Sequence, residues 1–176
     1  MTAPSTKQLV IMQRLTAQLQ TITPANGYDY DLSASVYRGR AVFGADVPAP
    51  FVSILEALRP DPRPLAAGLE KLTRAEQWDL LVQGWVQPIE NDPNPTDELY
   101  QLQGAVMSCL SQIVAMTANG SPQYPTLYRL GRIINSMSIG PGVVRPATPQ
   151  YGNVASFYLP VTIGYAINVA DPYSLS

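Results

Sequence analysis

Histidine is absent from this 176-residue chain, and cysteine occurs once, at Cys109. Ser-His-Asp and Cys-His nucleophile systems, imidazole metal sites and thiolate zinc sites need these side chains, so the composition excludes them. Charge is scarce as well: 14% of the residues are charged, against roughly 25% in an ordinary soluble domain. A chain with so little charge is expected to set part of its surface against other protein. Eleven basic and 13 acidic side chains leave a net charge of -2, and no Lys/Arg block marks a nucleic-acid footprint. Long apolar runs are missing too. The longest candidate, Phe157 to Ile167, is interrupted by Pro160, Thr162 and Gly164 and falls short of the ~18 residues that cross a bilayer. Met1 to Lys7 has no basic region leading into an apolar stretch, which predicts an intracellular chain without a secretory signal.

The length suits one domain burying roughly 70% of its unfolded surface, enough for a core without staples. Ser5 and Gln8 form a capping box, and Leu9, Met12, Leu15, Leu19 and Ile22 recur at helical steps, predicting a helix from about Ser5 to Thr21 that Pro24 and Asn26-Gly27 end. From Tyr28 to Tyr37 the pattern alternates: Tyr28, Tyr30, Leu32, Ala34 and Val36 oppose Asp29, Asp31, Ser33 and Ser35, as in a half-buried strand. Phe51 to Glu56 reads as a second strand and Gln77 to Gln87 as a third, with Trp78 and Trp85 on opposite faces. Asn94-Pro95 with Asp97 and Glu98 starts a second helix, expected to run to about Ala118 on a stripe of Leu99, Leu102, Val106, Leu110, Ile113 and Thr117, where Asn119-Gly120 closes it. Cys109 lies in that pattern as a buried thiol. Arg132 to Ile139 and Val154 to Asn168 alternate as a fourth and a fifth strand, and Pro160 places the last at a sheet edge or at a bulge.

The expected fold is therefore α+β: an antiparallel-rich sheet of about five strands with two main helices on one face, in the order α-β-β-β-α-β-β. Residues 1–168 form a single domain with a long arm at 57–76, and 169–176 form a C-terminal tail that stays mobile unless a partner holds it. The arm exceeds the ~12 to 15 residues of ordinary loops. Its alternating prolines, Arg59-Pro60-Asp61-Pro62-Arg63-Pro64, favour a preordered extended backbone. It is either a docking arm or a surface loop.

Candidate chemistry is thin. Asp29 and Asp31, two residues apart, suit a hard cation or an acid and base pair, or else a solvated strand face. Glu90, Asp92, Asp97 and Glu98 gather around a helix start, where dipole complementarity accounts for Asp97 and Glu98. Gly140-Pro141-Gly142 is no phosphate cradle, since no Lys-Ser/Thr follows. Arg38, Arg40, Arg59, Arg63, Lys71 and Arg74 form the densest basic group, read as isolated surface charges or as contacts with an acidic partner surface. No cofactor and no metal site are expected.

Some runs nevertheless resemble a known family. Ile22-Thr23-Pro24-Ala25-Asn26-Gly27-Tyr28, Val36-Tyr37-Arg38-Gly39-Arg40 with Phe43-Gly44 and Pro48, and Val52-Ser53-Ile54-Leu55-Glu56 look like the opening of tail terminator (tail completion) proteins of long-tailed bacteriophages. Trp85-Val86 and Asn94-Pro95-Thr96-Asp97 continuing as Leu99-Tyr100-Gln101-Leu102 are similar too, and the likeness spans roughly residues 5–168. It implies a structural, non-enzymatic virion protein of the tail and neck region, assembled in the host cytoplasm. As a homohexameric ring it would cap the head-proximal end of the tail tube, stop polymerisation of the major tail tube protein and join the tail to the head-completion connector. DNA would pass through the lumen as cargo, with Asp29 and Asp31 suited to line it, and no membrane is involved. The alternatives are another head-to-tail connector or minor capsid joining protein and, in different classes, a small carboxylate-based enzyme or a ligand-binding dimer.

Overall fold

The computed structural model describes residues 4–43, 47–57, 73–87, 92–147 and 154–175. Helix α1 spans Lys7–Leu19, and Thr6 rather than Ser5 caps it, the Thr6 side chain accepting from the Leu9 N–H at 3.3 Å. Ile11, Leu15, Leu19 and Ile22 form the buried stripe, while Leu9 is 43% exposed. Leu15, Leu19 and Ile22 of the expected stripe are thus buried and Met12 packs against the core, while Ile11 takes the place of Leu9; Gln18 also turns inward, donating to the Cys109 carbonyl at 3.1 Å. A short turn at Pro24–Asn26 and the left-handed Gly27 (φ 83°) end the segment.

The expected strand at 28–37 shrinks to β1, Val36–Arg38. Upstream, the Ser33 N–H bonds the Asp31 carboxylate, Ser35 N–H bonds the Leu32 carbonyl and Leu32 N–H bonds the Ile22 carbonyl, so this backbone makes turns and has no ladder to offer. The alternation sorts burial only in part, with Leu32 and Val36 inside and Asp29, Asp31 and Ser33 exposed, but Ala34 of the apolar set exposed as well.

β1 pairs in parallel with β2, Phe51–Glu56, and β2 pairs antiparallel with β3, Thr73–Val86. Helix α2, Asp97–Ser111, begins after Thr96; the Asn94 carbonyl, not its side chain, accepts from the Asp97 N–H. It ends well before Ala118, because Thr117 and Ser121 bond each other across a turn that contains Asn119-Gly120. Those two residues therefore turn a small hairpin and do not close the helix. A left-handed turn at Arg129–Arg132 replaces the start of the expected fourth strand, which is β4, Ser136–Ile139. An unexpected β5, Val143–Arg145, precedes β6, Ala155–Asn168.

Among the described residues the sheet order is β1-β2-β3-β6-β4, with β5 also against β6, so the architecture is α+β as expected, with six described strands. β6 is interior and not an edge. Pro160 is accommodated because β4 pairs with 161–164 and β5 with 156–158, leaving the proline opposite the break. There, Gly140 to Gly142 stand against Leu159 and Pro160, a bulge carried by the neighbour. Trp78, Leu80, Val82, Phe157, Leu159, Val161, Ile163 and Tyr165 point from β3 and β6 into one core with the stripes of both helices. Residues 169–175 make turns at Asp171 and Asn168, and the Pro172 carbonyl accepts from the Lys7 N–H at 2.9 Å, so this part of the tail is tied to the start of α1.

Candidate functional site

Because the odd and even residues of β2 and β3 face opposite ways, Phe51 and Trp85 lie on the sheet face away from the helices. They are direct cross-strand partners and stack with ring centroids 4.8 Å apart and 21° between planes. Tyr37 of β1 and Phe43 from the following loop close over them: Phe43 lies 4.2 Å from Phe51, 4.9 Å from Trp85 and 5.3 Å from Tyr37. The Arg40 guanidinium sits over this group, 4.8 Å from the Phe43 centroid and 5.1 Å from that of Tyr37. Its backbone is fixed by the Ser53 hydroxyl, which donates to the Arg40 carbonyl at 2.7 Å. At the other flank, Arg145 lies 4.9 Å from the Tyr158 ring centre. The result is an aromatic platform with an arginine at each side. Phe51 is buried beneath the others at 4% exposure, and the half-buried Tyr37, Phe43 and Trp85 leave part of their rings open beside the cation–π-anchored guanidiniums, which suits binding to protein carboxylates and carbonyls.

Of the sequence-derived basic group, only Arg38 and Arg40 have described side chains, and these two part company. Arg40 joins the platform, whereas Arg38 is exposed at the end of β1, on the side of the sheet opposite Tyr37 by strand alternation. Arg74 belongs to β3, and Arg59, Arg63 and Lys71 lie outside the described residues, as do most of the arm and Glu90.

Asp29 and Asp31 are exposed but do not share a strand face. The Ser33 hydroxyl and N–H hold the Asp31 carboxyl below its ordinary value, so this group is committed to a turn. Next to Asp29, Tyr30 donates to the Glu98 carbonyl at 3.1 Å. Burial, then the Glu98 and Asp29 carboxylates, push its phenol up to about 12. Among the described residues no three His, Cys, Asp or Glu side chains gather where they could hold one metal ion. Burial pushes the Cys109 thiol up, and it donates to the Gln18 carbonyl at 3.1 Å, the placement of a structural thiol.

One further feature had no signal in the pattern. Arg129, Leu130, Gly131 and Arg132 all have positive φ, at 51°, 54°, 69° and 68°, and for the non-glycine residues this costs about 1–2 kcal/mol each. Leu130 plugs into the core at 1% exposure, the Arg129 N–H bonds the Ile113 carbonyl at 2.7 Å and Arg14 bonds the Leu130 carbonyl, which together offset the strain. Arg129 and Arg132 are left exposed.

No protein-family model matches the chain, and no curated protein is significantly similar to it.

Proposed function

We propose that this chain is a structural subunit of a phage-like particle, a tail terminator that forms a ring at the head-proximal end of the tail tube, ends tube growth and joins tail to head. It works by binding and not by turnover. The observation that carries this reading is where the resembling segments meet. Tyr37 and Arg40, Phe43, Phe51 beside the Val52–Glu56 run, and Trp85 come from different stretches of the chain and converge on one platform on the sheet face away from α1 and α2. On this reading the platform is the face offered to the adjoining tail-tube or connector ring, and the low charge of the chain reflects the area given to such contacts.

The test is electron microscopy of particles assembled with native chain or with Trp85→Arg. Native chain is expected as a ring at the neck, and Trp85→Arg as a folded protein that gives unjoined tails. Density for the protein elsewhere in the particle rejects the terminator reading. A neck position on the head side of the tube supports a connector instead. Retained joining by Trp85→Arg removes the platform from the contact.

A further inference from the structure

Charge is segregated along this chain. Between Arg74 and Arg129 there is no lysine or arginine, and between Glu98 and Asp171 there is no aspartate or glutamate. The fold converts that segregation into two poles. At the N-terminal end of α2, the half-buried Glu98 adjoins Tyr30 and is preceded by the exposed Asp97, and the exposed Asp29 flanks the same ring. The stretches that build this corner, 15–37 and 75–128, contain no basic residue to neutralise it. Beyond the C-terminal end of α2, where Arg129 bonds the Ile113 carbonyl, the left-handed turn carries the exposed Arg129 and Arg132 beside Arg14.

Helix α2 has 15 residues, which separates the poles by about 20 Å. Each pole exceeds the half charge or so that a helix end attracts. Between them the outer side of α2 exposes Tyr100 (59%), Gly104 and Met107 (38%), and residues 101–128 carry no charge at all. The molecule thus holds, on separate sites joined by an uncharged surface, both halves of a charge-complementary contact. A second copy of the same chain supplies each half to the other.

We propose that copies of this chain associate pole to pole, with the Arg129/Arg132 turn of one copy seated on the Asp29/Asp97/Glu98 corner of the next. This deepens the ring reading and rests on it for closure: it names the surfaces by which neighbouring subunits meet, and it gives Asp29 to a subunit contact and not to the lumen. The strained turn is then explained by its product, two guanidiniums fixed on a backbone that the core holds rigid.

The experiment is a charge swap read by sedimentation velocity at low and physiological salt. Arg129→Glu with Arg132→Glu makes one variant, and Asp29→Lys with Asp97→Lys the other, each checked for native circular dichroism. Either alone is expected to weaken self-association on the order of 100-fold through like-charge contact. Their equimolar mixture, and a chain carrying all the reversals, are expected to recover it. Should a reversal unfold the chain, Arg129→Gln with Arg132→Gln and Asp29→Asn with Asp97→Asn are expected to weaken association in the same direction.

Association that single-pole reversal leaves unchanged, a mixture that stays as dissociated as its components, or a native chain still monomeric at millimolar concentration in low salt overturns the pairing. So does duplex DNA binding that Arg129→Glu with Arg132→Glu abolishes while self-association is untouched. Closure at two copies, restored by the swap, keeps the pairing and sinks the ring reading. A neck ring indifferent to the swaps does the reverse.

Discussion

Gly84 of β3 and Phe157 of β6 are register partners in the middle of the sheet, and the phenylalanine ring occupies the space that a side chain on residue 84 would need. Phe157 is fully buried in the core shared by sheet and helices, so the ring has no free volume to retreat into. Gly84→Ala is therefore expected to destabilise the chain by about 1–3 kcal/mol through overpacking, read as a lower urea midpoint at unchanged slope. An unchanged midpoint means that the ring can move.

Gly131 is a second position where glycine is favoured, for a different reason. It has φ +69°, and a Cβ there would collide with the Arg14 guanidinium that bonds the Leu130 carbonyl. Gly131→Ala is expected to cost about 1–2 kcal/mol, and Arg14→Ala to make the later Gly131→Ala change cheaper. A double-mutant cycle measures that coupling, and strict additivity of the two changes is the outcome against it.

Tyr30 predicts an alkaline limb in stability. The fold favours the neutral phenol, whose value rises from an ordinary 10.0 to about 12. Its contribution is complete below about pH 10, where the unfolded phenol is also neutral, and is lost as pH rises toward 12. Denaturation midpoints between pH 9 and pH 12 check this. Tyr30→Phe is expected to flatten that limb while losing the bond to the Glu98 carbonyl, about 1 kcal/mol at neutral pH.

Gln103 is the reverse of these cases, a site that can be improved. Its Nε2 is buried without a hydrogen-bond partner among the described residues, beside Gly142. An unsatisfied buried amide costs about 1–3 kcal/mol. Gln103→Met, similar in length and apolar, is expected to raise the melting temperature, and a fall would mean that the amide has a role in the fold.

Elements made by burial period were legible in the sequence, and those made by local hydrogen bonding were not. β3 and β6 follow from alternation, β2 from its mostly apolar run, and the α2 stripe from Leu99 to Ile113 follows from its spacing. At Tyr28 to Ser35 the alternation was present, but Asp31 and Ser33 spend it on turns. In α1 the choice between Leu9 and Ile11 depended on Gln18 facing Cys109, a contact across 91 residues. Of the site, Arg40 stands in the sequence beside Arg38 as a member of the densest basic group, and nothing local marks its seat on Tyr37 and Phe43. Trp85 could be placed on the face away from α1 and α2, but its partners Phe43 and Phe51 are brought together by the sheet. Nothing local marks Arg129 and Arg132 as left-handed, because only one of the four residues in that turn is glycine.

The break opposite Pro160 has a further effect at the rim of the molecule. The outer margin beyond β6 is two stubs, of four and three residues, offset by the extra residue of the bulge. An incoming extended peptide could register with one stub or the other but not with both, so that margin offers no long template for strand-by-strand accretion. On the proposed ring reading, a flank interrupted in this way helps assembly to stop at a fixed copy number.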